Sequence, residues 1–148
     1  VNLKNKKTIT EDEIELYIGI SKEYNIFELL GAIAIKDMAK AIKIVKYFEA
    51  NPKAAPLQAA LPALYSSISR VYGFYGQQDQ SESALKQMMF HNPVAIAQAK
   101  GIIKNYGYPG IERLLLLLHH YNLKSIGIGD TGTPGPVLMK EMLIKMMV

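Results

Sequence analysis

The chain has no cysteine, which excludes a disulfide framework, thiolate metal sites and thiol nucleophiles, so the fold has to be held by packing. Long apolar runs are also missing. The longest stretch without a charge, Ala54 to Ser69, is broken by Pro56 and Pro62 and contains Gln58 and serines, so no segment is fit to cross a bilayer. No signal peptide is legible either: Lys4, Lys6 and Lys7 lead into the acidic Glu11, Asp12, Glu13 and Glu15 rather than into an apolar core. The missing initiator Met reads as a fragment or a processed form, and the protein is expected to be cytoplasmic with no membrane partner. Convincing period-two alternation is scarce, and the short run Ile126 to Ile128 is interrupted by glycine, which leaves little support for strands.

What is present is enough for one globular domain, with 148 residues and 49% hydrophobic content. A net charge of +4 permits contact with a nucleic acid backbone, but an excess this small decides nothing. Helical periodicity dominates. Thr10 with Glu13, and Asn25 with Glu28, have capping-box spacing, so one helix is expected to about Ile20 and a second through Phe27, Leu30 and Ile33. Asp37 opens a third helix ending near Asn51 and Pro52, with Met38, Ala41, Ile42, Val45 and Phe48 on one face. Lys36, Lys40, Lys43 and Lys46 form a basic stripe on its other side. A fourth helix is predicted from Pro56 to roughly Phe74, kinked or delayed by Pro62 and closed by Gly73 and Gly76. A short helix fits Gln80 to Met89, Asn92 with Pro93 starts the next, Tyr108 with Pro109 opens another through Leu118, and the last begins near Pro134. The expected fold is therefore an all-α compact helical bundle.

Few residues carry chemistry. Gly127, Gly129 and Gly132 match the G-x-G-x-x-G string of dinucleotide-binding turns, but a helix rather than a strand precedes them, so a loop between helices, Ser125 to Thr133, is the expected reading. No P-loop string exists, and no nucleotide or other cofactor is expected. His119 and His120 point about 100° apart on a helix, a poor arrangement for one metal, and neither they nor His91 have a carboxylate at the right helical spacing. Ser66, Ser67 and Ser69 lack the strained turn that exposes a nucleophile. No catalytic residue and no metal site is expected. The lysine stripe is read first as a solvated face and second as a surface for DNA phosphates. Ser83 to Tyr106 has a helix-turn-helix outline, yet its second helix offers Gln98, Lys100 and Lys104 with no arginine to read guanine.

Six groups of segments stand in order along the chain: Ile9-Thr10 through Ile14, Gly19 through Leu29, Ala32-Ile33 with Asp37 and Lys40-Ala41, Asn92-Pro93, Tyr121 through Lys124 followed by Gly127, and Leu138 through Lys145. Taken together they resemble the C-terminal part of the delta subunit of the bacterial DNA polymerase III clamp loader. The resemblance implies that residues 1–21 are the terminal helix of a preceding lid domain and residues 22–148 a helical collar domain that helps hold the loader ring during DNA replication. Its implied partners are delta prime and the gamma or tau subunits, the sliding clamp through an N-terminal domain outside this chain, and primer-template DNA in the assembled complex. No catalysis is implied for this part, although the parent holoenzyme is a DNA-directed DNA polymerase. The sequence departs from the family at Asn122, where an acidic residue is usual, and at Pro62, in a helix usually continuous. The loop Ser125 to Thr133 has no aromatic, so no base-stacking role is carried over. A non-catalytic oligomerisation module is thus the leading expectation, and an independent helical DNA-binding domain using the basic helix face is the alternative.

Overall fold

The computed structural model describes residues 23–54, 57–130 and 132–148, and among them every regular element is helical. The elements are α1 (Ile26–Ala34), α2 (Met38–Ala50), α3 (Leu57–Phe74), α4 (Glu82–Met88), α5 (Pro93–Ser125) and α6 (Gly135–Met147). The helix expected from Thr10 to Ile20, and with it the lid assignment of residues 1–21, lies outside the described residues. No helix among those described is long and apolar enough to cross a membrane.

The caps read from the sequence hold the junctions. Asn25 accepts a hydrogen bond from the Glu28 amide at 3.0 Å, and Asp37 accepts one from the Lys40 amide at 3.0 Å. Asn92 accepts from the amides of Val94 and Ala95, with Pro93 occupying the first helical position as expected. The short helix starts later than Gln80 because Ser81 caps it, while the Gln80 amide turns back to the carbonyls of Tyr75 and Gln77. Pro62 neither delays α3 nor breaks it: the helix begins at Leu57 and runs on to Phe74. The carbonyl deprived of a donor belongs to Gln58, which is exposed in the first turn and can turn to water.

Apolar spacing then assembles the bundle. Leu57, Leu61, Leu64, Ile68 and Val71 of α3 recur at alternating steps of four and three residues, which is the seam that lets one helix lie along another. That seam faces α5, whose Ile111, Leu114, Leu118 and Tyr121 follow the same rhythm. α6 adds Leu138, Met139, Met142, Leu143 and Met146, and it packs on both α5 and α2. No polar or charged residue is buried among the described residues, and the core is apolar apart from the buried hydroxyl of Tyr121.

α5 contains the two helices expected around Tyr108, merged across a break at Gly107 (φ 64°, ψ −179°). Those angles are essentially confined to glycine, and Pro109 two residues later supports a fresh helix start. The half before the break serves α1. Gln98 donates to the Phe27 carbonyl at 2.9 Å, Asn105 to the Ala34 carbonyl at 2.8 Å and Tyr106 to the Ile33 carbonyl at 2.6 Å. Two of these carbonyls belong to the last turn of α1, where the helix itself supplies no partner.

Gly107→Ala should destabilise the fold by about 1–3 kcal/mol, read from the midpoint of urea unfolding, because an added Cβ is strained at these angles. Tyr106 should produce a second signature at high pH. Burial pushes its phenol up to about 12, against an opposing effect of Arg113. Raised in the folded state, this pKa adds stability that is complete below the ordinary value of 10.0 and lost as pH climbs through about 12. Thermal melts across that window should fall more steeply for the wild type than for Tyr106→Phe.

Candidate functional site

Only part of the lysine stripe exists as a stripe. Lys36 stands before the Asp37 cap rather than on α2, in a left-handed conformation (φ 57°). Its amide bonds the Ile33 carbonyl and the Asp37 amide bonds the Ala32 carbonyl, the paired closure of a Schellman motif that ends α1 as Asp37 begins α2. The Lys36 ammonium lies 4.7 Å from the centre of the Tyr106 ring, so this cation belongs to the α1–α5 contact. Lys43 is half-buried, and Lys40 and Lys46 are exposed on α2. The expectation of four lysines on one helix face is therefore corrected: three are on α2, and of these Lys40 and Lys46 are exposed.

The other sequence candidates also find structural roles. Ile126 caps α5, the Gly127 amide bonds the Lys124 carbonyl and the Ile128 amide bonds the Leu123 carbonyl. Gly127 is thus the left-handed residue (φ 91°) of another Schellman motif, which explains its presence without a phosphate. Within the helix-turn-helix outline, Gln98 is engaged with α1, and Lys100 pairs with Glu82 at 2.6 Å. Lys100 is the largest influence holding the Glu82 carboxyl below its usual range. His120 sets its ring edge against Tyr121, His91 sits in the α4–α5 turn, and Ser66, Ser67 and Ser69 lie along α3. No group of three His, Asp or Glu able to hold a metal ion is found among the described residues.

A groove of about 700 Å³ lies between α3 and the second half of α5. Leu61, Pro62 and Tyr65 form one wall, and Leu115, Leu116 and His119 the other. Tyr65 and Leu116 are left open to solvent, at 48% and 69% exposure, beside the buried Leu61 and Leu118. One end is closed by a tyrosine cluster. The Tyr72 and Tyr108 rings stack at 5.2 Å, Tyr75 meets Tyr108 edge-on, and the Tyr72 hydroxyl donates to Glu112 at 2.9 Å while standing 2.8 Å from the Tyr108 hydroxyl. The hydrogen bonds to Tyr108 and Glu112 raise the Tyr72 pKa, so its proton is held rather than offered. With Glu112 as its only carboxylate among the described residues, the groove offers apolar contact and one anionic point, a surface for docking more than for bond-making.

The sequence carries no signal for this cluster, because Tyr72 and Glu112 are 40 residues apart and only the packing of α3 on α5 joins them. The exposed pair on α2 yields an expectation. Replacing Lys40 and Lys46 with Gln should leave the fold unchanged in circular dichroism and the slope of DNA affinity against salt unchanged. A loss of slope approaching about two phosphate contacts would assign DNA gripping to this helix. No protein-family model matches the chain, and neither a curated protein nor a solved structure is significantly similar to it.

Proposed function

We propose that the chain is a non-catalytic assembly module, a collar domain of a DNA polymerase III delta subunit that helps hold the clamp-loader ring during DNA replication. The observation that carries the assembly role is the α3–α5 groove, where Tyr65 and Leu116 remain exposed beside the buried seam of Leu61, Leu64, Leu114 and Leu118. Buried against a neighbouring subunit, they would complete the same kind of seam that joins α3 to α5. The clamp-loader identity rests on the sequence resemblance, and the packing is compatible with it. Two of the resembling segments, Tyr121 to Lys124 and Leu138 to Lys145, meet in the structure: the buried Tyr121 ring has the ammonium groups of Lys124 and Lys145 at 5.3 and 5.5 Å from its centre. Asn25, Asp37 and Asn92, from three other resembling segments, are helix caps.

The test is reconstitution. Mixed with delta prime and gamma or tau subunits, the chain is expected to co-elute in a complex of defined mass. Leu116→Glu and Tyr65→Glu should each abolish that complex while leaving helicity intact, since both positions are open to solvent in the free chain. An absence of any complex, together with steeply salt-dependent binding to duplex DNA, would replace this reading with that of an independent DNA-binding domain.

A further inference from the structure

A second apolar groove lies on the other flank of α3. At about 100° per residue, Tyr65 and Tyr72 stand to one side of the core seam of α3, and Ser67 and Arg70 to the opposite side. This groove, about 340 Å³, runs between α1, α3 and the first half of α5. Phe27, Phe90 and Val94 line it with 58%, 75% and 62% of their surfaces exposed, while Val71 and Met89 form buried parts of its lining.

The position of Phe90 is set by an unfavourable backbone. Phe90 and His91 both adopt left-handed conformations (φ 53° and 54°). The Phe90 amide bonds the Gln87 carbonyl and the His91 amide bonds the Lys86 carbonyl, closing α4 immediately before Asn92 caps α5. Glycine would meet these angles without the cost of about 1–2 kcal/mol that a side chain incurs. An aromatic stands there instead, held outward. The Arg70 guanidinium lies 5.1 Å from the centre of its ring. Among the described residues Arg70 is the only charged one lining the groove, and it makes no ion pair with any of them.

We infer that this groove binds an amphipathic helix of a partner protein, with apolar side chains seated between Phe27, Phe90 and Val94 and a carboxylate set against Arg70. Charge complementarity selects an acidic partner, because an occupant without a carboxylate leaves the one guanidinium of the groove uncompensated as it loses water. The shape selects a helix. The site is a channel between three helices, and no strand edge exists among the described residues for an extended segment to join. A single cation among apolar groups is a poor match for nucleic acid, which engages several basic residues at once. The restrained Phe90 turn lowers the ordering cost of binding, since the aromatic anchor is already in place. This inference does not rest on the clamp-loader reading, because none of its observations involves the resemblance or the α3–α5 groove.

The probes are two synthetic amphipathic helical peptides with the same leucine stripe, one with Glu and one with Lys beside it, followed by fluorescence anisotropy on the whole chain. The Glu peptide is expected to bind about tenfold or more tightly than the Lys peptide, and Arg70→Glu to reverse that order. Phe90→Ala should weaken both peptides by about tenfold while circular dichroism and melting show an intact fold. Val94→Glu provides a second exposed substitution with the same expected loss. Failure of the Glu peptide to bind, equal binding of the two peptides, or a preference unchanged by Arg70→Glu overturns the inference. So does self-association abolished by Phe90→Ala, which would make a second copy the occupant. Peptide binding that emerges only on removal of residues 1–22 overturns it as well, by making the chain's own N-terminal segment the occupant. Loss of loader assembly with the peptide preference intact would remove the proposed function and leave this site standing.

Discussion

The break at Gly107 is the constraint on which the rest of the arrangement depends. An unbroken helix from Pro93 to Ser125 would project its side chains along one continuous axis, whereas α1 and α6 require partners in different directions. With the axis interrupted, the first half presents Gln98, Asn105 and Tyr106 to the carbonyls of α1. The second half presents Ile111, Leu114, Leu118 and Tyr121 to the core, and its Arg113 donates to the carbonyls of Lys145 and Val148 at the end of α6. One helix thereby supplies donors to the C-terminal ends of two others.

A related economy governs the short connections. α1 passes to α2, and α4 to α5, through turns in which one helix closes by a Schellman pair just before the next is capped. Such turns need left-handed residues, and here Lys36, Phe90 and His91 occupy them. At Lys36 the aliphatic stem and charge are used internally, over Tyr106. At Phe90 the side chain is left at the surface, with the Arg70 guanidinium over its ring. The same backbone device therefore contributes to packing at one junction and to an exposed surface at the other.

The two grooves flank a single buried seam on α3, and their charges differ in sign: Glu112 lines one and Arg70 the other. A module of this kind can distinguish two neighbours by electrostatics while using apolar contact for affinity. Among the described residues no polar or charged residue is buried, so the side chains that carry charge stand at the surface.

Periodicity and capping chemistry made the helical class, most helix starts and the core faces legible, because these depend on residues three or four apart and on the local needs of free amides. Asn25, Asp37, Asn92 and the break before Pro109 are of that kind. The basic stripe misled at Lys36 because spacing alone does not say where a helix begins relative to its cap, and the residue before Asp37 lies outside the helix. Gly127 was legible as a loop residue, although its Schellman role depends on where α5 ends. The candidate surfaces were not legible at all. Tyr72 finds Glu112, and Arg70 finds Phe90, only after α3 is laid against its neighbours, since exposure and pairing between distant segments are properties of the packed chain rather than of any local stretch.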